Sequence, residues 1–161
     1  MPSEPVPVDL LGVRIQLPSQ TPIVLLRERD GDRHVPIWIG AVEATAIAYA
    51  MEGVVPERPL THDLFAGVLT TLSVGIERVV VSDMHDQVFF ADLVLRHGDD
   101  LHVVSARPSD AIALAARLGA PLFVAPEVLA EAGIELRDED EEEEIEKFRE
   151  FLEELDPEDF S

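Results

Sequence analysis

The fold is decided by a stretch that the chain uses twice: residues 32–48 read DRHVPIWIGAVEATAIA, and residues 99–115, which lie 67 positions further on, read DDLHVVSARPSDAIALA. The two stretches align without a gap. Each follows a glycine at a turn and runs through an apolar segment to an acidic residue that opens an Ala-rich helix. Glu43 and Asp110 take the same place in this alignment. The repeat predicts two β-β-α units related by a pseudo-twofold axis.

The same frame holds in the apolar segments that precede both stretches. Counted from residues 22 and 89 onward, it contains seven identities in 27 positions, among them Leu26 with Leu93. Alternating apolar and polar residues predict a strand on each side of both turns. The Ala-rich segments are predicted to be helices over about 42–52 and from 108 or 109 to a stop at Gly119.

The rest of the chain supplies further predicted strands and helices. Residues 6–17 read as a strand with a bulge at Leu11-Gly12, where the alternation slips. Thr61 is the predicted N-cap of a helix that runs to about residue 73. Its apolar residues at helical spacing predict a face turned to the core, and they are Phe65, Val68, Leu69 and Leu72. Further strands are predicted at 74–83 and 121–124, and a short helix at 126–132. Together these predictions describe an α+β fold with a mixed β-sheet and packed helices.

The charge divides the chain into a domain at residues 1–134 and an acidic tail at residues 135–161. The tail holds 15 acidic and three basic residues, a net charge of −12 out of −21 for the whole chain. Apolar residues at helical spacing predict an amphipathic helix within it; they are Ile145, Phe148, Leu152 and Leu155. A net charge of −21 argues against general electrostatic binding of nucleic acid, but it does not exclude a small local arginine cluster.

Composition excludes several other classes of protein. The chain has no cysteine, so it holds neither a disulfide scaffold nor a thiol nucleophile. The first residues carry no basic segment followed by an apolar run, and no segment approaches the roughly 20 uninterrupted apolar residues of a membrane span. We therefore expect a cytoplasmic protein that makes no contact with a membrane.

The first candidate site is the stretch from Arg58 to Asp63, RPLTHD, at the start of a predicted helix. Arg58 offers a planar donor for phosphate. The positive end of the helix dipole disfavours the charged form of His62, which would then be available as a general base or a metal ligand. Asp63 could orient that imidazole or bind a hard cation. The alternative is that Thr61 and Asp63 only cap the helix.

The second candidate site, ARPSD at residues 106–110, also places an Arg-Pro before a helix start. Here Arg107 and Ser109 could hold a phosphate together with the backbone N–H groups of the helix. Asp110 could bind a metal, and if the two repeats face each other, Glu43 would join it in a paired-carboxylate cation site. The alternative is again a simple cap, with Ser109 at the N-cap and Asp110 in the first turn.

Aromatic residues next to these junctions offer a further feature. Trp38 and the pair Phe89-Phe90 could stack on nucleobases, although contacts in the core or between subunits would explain them as well.

Read together, these motifs resemble the bifunctional nuclease domain family over residues 6 to about 133. The resemblance rests on five segments in this order: PIVLLRE (22–28), PIWIGAVEATAIA (36–48), RPLTHDL (58–64), FFADLVL (89–95) and ARPSDAIALAARLGAPLFV (106–124). It implies an α+β fold with a mixed sheet, a homo-oligomer, and nuclease activity on RNA and DNA. The end of the acidic tail is similar to that of actinobacterial members of the family.

Two functions follow from this reading. The first is metal-dependent hydrolysis of phosphodiester bonds in RNA and DNA. Glu43, Asp63 and Asp110 would hold Mg²⁺ or Mn²⁺, and His62, Asp63 and Glu43 would form the catalytic set in which His62 activates water. The phosphate would be held by Arg58, Arg107 and Ser109. The second is a non-catalytic oligomeric scaffold or regulatory binding module, whose polar helix starts are caps and whose tail recruits a partner.

Overall fold

The chain runs through two groups of three strands, separated by two helices and followed by a further helix and shorter elements. The computed structural model describes residues 4–135. The strands and helices of this part are β1 (Val6–Gln16), β2 (Thr21–Glu28), β3 (Arg33–Trp38), α1 (Ala41–Glu52), α2 (Thr61–Thr71), β4 (Val74–His85), β5 (Val88–His97), β6 (Asp100–Ala106), α3 (Pro108–Leu118), β7 (Leu122–Val124), α4 (Pro126–Ala132) and β8 (Ile134–Glu135). The predicted α+β class is confirmed.

The eight strands form one mixed sheet in the order β6-β5-β4-β7-β1-β2-β3-β8. The short central strand β7 runs parallel to β4 and antiparallel to β1, so β1 and β4 point in opposite directions. This order and these directions are what a twofold axis normal to the sheet would produce. The predicted duplication is therefore confirmed, and each unit is wider than predicted: it has three strands and a helix, β1-β2-β3-α1 and β4-β5-β6-α3.

The core lies where the helices meet the sheet. Leu26 and Leu93, equivalent in the repeat, are both buried in it, and the predicted bulge in β1 is present between Leu10 and Gly12. Helices α1 and α3 pack against each other through small alanine side chains, which lets their starts come close. Both helices end at a glycine in the left-handed region, Gly53 at φ 70° and Gly119 at φ 73°, as the sequence predicts.

Helix α2 differs from its prediction in two respects. Thr61 is the first residue of the helix, and the residue in the N-cap position is Leu60, whose backbone N–H donates to Asp63 Oδ2 at 3.1 Å. The predicted core-facing stripe is also wrong, because Leu69 is buried but Phe65, Val68 and Leu72 are exposed. The helix lies against α3 and β4 through a narrower surface than the stripe predicts, with Ala66 and Leu69 as its buried residues.

Three further predictions concern the β4–β5 hairpin, the acidic tail and membrane-spanning segments. The hairpin between β4 and β5 is longer than predicted, and it closes on Asp86 and Gln87, both at positive φ as a tight hairpin turn requires. The predicted helix in the acidic tail lies outside the described residues. Within residues 4–135, no helix is both long enough and apolar enough to cross a bilayer.

Candidate functional site

The site is built around Arg107, the last residue before α3. Pro108 occupies the first helical position, where its missing N–H costs nothing, and Asp110 follows in the first turn. Arg107 donates to Asp110 through Nε, 2.8 Å from Oδ2, and through Nη2, 3.2 Å from Oδ1. This two-point contact fixes the plane of the guanidinium relative to the carboxylate.

The second carboxylate on the same guanidinium comes from the other repeat. Glu43, in the first turn of α1, accepts from Arg107 Nη2 at 2.9 Å through Oε1. The Glu43 side chain folds back over the glycine that precedes the helix, and a Cβ at Gly40 would collide with its carboxylate. Glu43 and Asp110, which are equivalent in the repeat, thus meet on one cation that belongs to the chain itself.

A histidine from α2 completes the cluster. His62 Nε2 lies 2.9 Å from Asp110 Oδ1, and its side chain is 14% exposed. An ionised Asp110 can only accept, so the Nε2–H must donate, and in the neutral ring the lone pair then sits on Nδ1. Glu43, His62, Arg107 and Asp110 together are called the Arg107 cluster below.

Asp110 is held in its charged form. Burial alone would raise the pKa of Asp110, but hydrogen bonds from Arg107 and His62 outweigh that effect and keep it below the usual value. The pKa of Arg107 is in turn raised, first by its hydrogen bonds with Asp110 and then by those with Glu43. At neutral pH the cluster therefore holds an ionised Asp110 that orients both a guanidinium and an imidazole.

A cavity of about 550 Å³ opens beside the Arg107 cluster, and we call it the cluster cavity. All four members of the cluster line it. The opposite wall is apolar and includes Phe65 from α2 and Leu93 and Val104 from the sheet. A volume in this range accommodates a ligand the size of a nucleotide.

The predicted metal ligands are only partly brought together. Asp63 turns away from the cluster, because Oδ1 accepts from Arg117 Nε at 2.9 Å and Oδ2 accepts from the backbone of Leu60. Glu43 and Asp110 are both paired with Arg107. Among residues 4–135 no three His, Asp or Glu side chains gather as a metal ion requires. As arranged, these residues fit a guanidinium and do not fit Mg²⁺ or Mn²⁺.

The other two predicted phosphate ligands lie on either side of the cluster. Arg58 is exposed and lines a separate cavity of about 410 Å³, which it shares with His62. Ser109 is buried and faces yet another cavity, together with Arg107. His62 and Arg107 are therefore each shared between two cavities.

The sequence pointed to no role at this site for Arg117 or Phe65. Arg117, in the last turn of α3, forms an ion pair with Asp63. Its guanidinium also donates to the carbonyl oxygen of Val54 at 3.3 Å. An arginine near a helix C-terminus is usual, so it gave no signal of a specific partner. Phe65 was assigned to the core, whereas it forms part of the cavity wall.

Comparison with known proteins finds a family whose model spans the residues that build the site. The family model described as "Bifunctional nuclease domain" matches residues 24–137. Two proteins of Mycobacterium tuberculosis, from different strains and both named as uncharacterized proteins, are each 45% identical to the chain over 161 residues. The match covers 95% of this chain and 96% of each relative.

Proposed function

Because the chain belongs to the bifunctional nuclease domain family, we propose that it hydrolyses phosphodiester bonds in RNA and DNA at the Arg107 cluster. The observation that carries the proposal is the 2.9 Å hydrogen bond between His62 Nε2 and Asp110 Oδ1 at the wall of the cluster cavity. A histidine oriented by a carboxylate and adjoining a guanidinium supplies a general base and an electrophile at one place.

The attacking group in this proposal is water, because DNA lacks the 2′-hydroxyl that RNA could use. His62 Nδ1 takes a proton from the water as its oxygen forms a bond to phosphorus. The bond from phosphorus to the leaving ribose oxygen breaks, and that oxygen takes a proton from solvent. Asp110 stabilises the imidazolium that forms, and it keeps the ring in the tautomer with the free Nδ1.

Arg107 meets the charge that develops on the phosphate. Its Nε and Nη2 donate to the two carboxylates, whereas Nη1 makes no hydrogen bond to any of the described residues. A phosphate oxygen bound at Nη1 would be held on the same guanidinium that Asp110 orients beside His62. Arg58 lies on the far side of His62, where it can contact the next phosphate of a strand.

The test replaces the proposed base. In His62→Ala, cleavage of labelled RNA and single-stranded DNA is expected to fall at least about 10²-fold, with thermal stability unchanged within a few degrees. The matched control is His97→Ala, which removes an exposed imidazole at the end of β5 and should cleave like wild type. All three proteins are purified in parallel to detect contaminating nuclease. Equal cleavage by wild type and His62→Ala would remove His62 from the reaction.

Metal removal tests the arrangement of the donors. Because Arg107 occupies the place between Glu43 and Asp110, cleavage is expected to persist in EDTA and to change less than about threefold on adding Mg²⁺ or Mn²⁺. Loss of activity in EDTA that Mn²⁺ restores would contradict this expectation and would show that cleavage depends on a metal ion.

A non-catalytic binding module is the second candidate function, and one observation favours it. Helix α2 leaves Leu64, Phe65, Val68 and Leu72 exposed, and from Leu64 to Gly75 the chain carries no charged residue. An apolar helix face of this kind is typical of a docking surface for a protein partner. Folded wild-type protein that cleaves neither RNA nor DNA, with or without metal, would leave this function standing.

A further inference from the structure

A second cavity, of about 360 Å³, lies on the other side of Arg107 from the cluster cavity. It is formed where three parts of the chain meet: the end of β3 with Trp38, the turn between β4 and β5 with Val88 and Phe89, and the start of α3 with Arg107 and Ser109. We call it the Trp38 cavity. Its volume is within the range of small-molecule sites in proteins.

The lining of the Trp38 cavity differs in charge from the rest of the protein. The chain has 33 acidic and 12 basic residues, yet among residues 4–135 no aspartate or glutamate lines this cavity, and Arg107 is the one charged side chain of that part of the chain in its wall. The wall of this cavity thus presents one guanidinium and no carboxylate, while Glu43 and Asp110, which pair with Arg107, line the cluster cavity. An anionic ligand meets no like charge among these lining residues.

The start of α3 offers this ligand two kinds of donor. The backbone N–H groups of the first helical turn have no intrahelical partner, and the positive end of the helix dipole lies at the same place. Ser109 is 6% exposed, and its hydroxyl makes no hydrogen bond to any of residues 4–135 although it lines the cavity. The hydroxyl oxygen keeps access to the cavity and is available there to a bound group.

The opposite wall offers an aromatic platform. Trp38 is 53% exposed, and its indole N–H donates to Gln16 Oε1 at 2.7 Å, which fixes the orientation of the ring. Large aromatic side chains are usually buried, so a half-exposed and hydrogen-bonded indole beside an anion site is suited to stack on a planar ring.

We propose that the Trp38 cavity binds a nucleotide, with its phosphate on Ser109, the start of α3 and Arg107, and its base against Trp38. The inference deepens the proposed function, on which it rests for the identity of the bound strand. The nucleotide in this cavity would be the neighbour of the phosphodiester cleaved in the cluster cavity, because Arg107 is common to both walls. It also predicts single-stranded substrates, since the base must be unstacked to reach Trp38.

The chain provides its own probe, because Trp38 is its only tryptophan. Titrating adenosine monophosphate and uridine monophosphate into the full chain is expected to quench tryptophan fluorescence with saturation. Inorganic phosphate should compete without quenching, and adenosine without phosphate should bind at least about tenfold more weakly. No saturable quenching by either nucleotide at millimolar concentration, or equal binding of adenosine and its monophosphate, would overturn the proposal.

Three variants assign the binding to the cavity and separate it from catalysis. Ser109→Ala is expected to weaken binding about tenfold, and Trp38→Ala, followed by calorimetry, by a similar factor. Ser82→Ala, in β4, removes a hydroxyl from a residue that lines neither cavity and is the control for the loss of a hydroxyl. His62→Ala should bind nucleotide like wild type, so loss of cleavage and loss of binding are read independently. Wild-type affinity in both Ser109→Ala and Trp38→Ala would overturn the proposal.

Discussion

The two halves of the sheet are built alike but differ at the residue that precedes their helices. In the repeat, Gly40 before α1 is equivalent to Arg107 before α3, and Glu43 is equivalent to Asp110. The first half therefore contributes a carboxylate and room for it to fold back, and the second contributes a carboxylate and the cation. The consequence is one site with two acids and a single arginine, where exact repetition would have given two sites.

The halves also differ in their third strands. Val35 on β3 pairs with Leu26 and is 1% exposed, whereas Val104 on β6 pairs with the equivalent Leu93 and is 46% exposed. Helix α4 packs on β3. Strand β6 lies at the edge of the sheet and is exposed along almost its whole length. The residue that pairs with the equivalent leucine is thus buried in the core in one half and lines a cavity in the other.

The strongest way to break this comparison is to make the second half like the first. In Arg107→Gly, cleavage is expected to fall about 10²–10³-fold, because the donor that meets the charge on the phosphate is lost. Arg96→Gly is the control, since Arg96 is also paired with a carboxylate, that of Glu77, but on the exposed surface of β5. The assay is the initial rate of cleavage of a labelled oligonucleotide. Comparable activity in the two variants would mean that the arginine of the second half has no special role.

The different use of the third strands is tested by a pair of equivalent truncations. Val35→Ala removes buried methyl groups and is expected to lower the free energy of unfolding by about 2 kcal/mol. Val104→Ala, which truncates the residue paired with the equivalent Leu93, is expected to cost about 0.5 kcal/mol or less. Chemical denaturation of both variants at neutral pH measures the difference. Equal losses would show that β6 is covered in solution as β3 is.

The smallest expected effect is the difference between replacing Asp110 and replacing Glu43, the two equivalent acids of the repeat. Asp110 accepts from both His62 and Arg107, whereas Glu43 accepts from Arg107 alone. Asp110→Asn is therefore expected to lower cleavage about tenfold more than Glu43→Gln does, which corresponds to ~1.4 kcal/mol of transition-state stabilisation. The ratio of kcat/KM values for the two variants gives this difference directly, and a ratio near one would mean that His62 does not depend on Asp110.

Most elements of the fold could be predicted from the sequence, because local signals mark them. Glycine and proline punctuate the chain, and the period of the apolar residues changes from two to about 3.6 at each helix. The repeat itself predicted that Glu43 and Asp110 would take equivalent places in the first turns of two helices. The central position of β7 between β1 and β4 could not be predicted, since three residues carry no information about their neighbours.

The contacts of the site depended on information that the sequence does not hold. Phe65 has the helical spacing of a core residue, but only the tilt of α2 against α3 decides which residues of the stripe are covered. Asp63 stands beside His62 in the chain, yet adjacent residues on a helix point about 100° apart, and Asp63 meets Arg117 instead. The sequence likewise did not show that the side chain of Arg107 extends to both Glu43 and Asp110 and is the cation between them.

The three hydrogen bonds that hold Arg107 have a consequence for the affinity of whatever binds there. An arginine side chain loses rotamer freedom on being fixed, at a cost of roughly 1.5–2 kcal/mol. In this protein Glu43 and Asp110 restrain the guanidinium before any ligand arrives, although the side chain is otherwise largely exposed. A ligand that binds at Nη1 therefore meets a side chain whose conformational entropy has already been reduced during folding, and its own binding free energy is not diminished by that ordering.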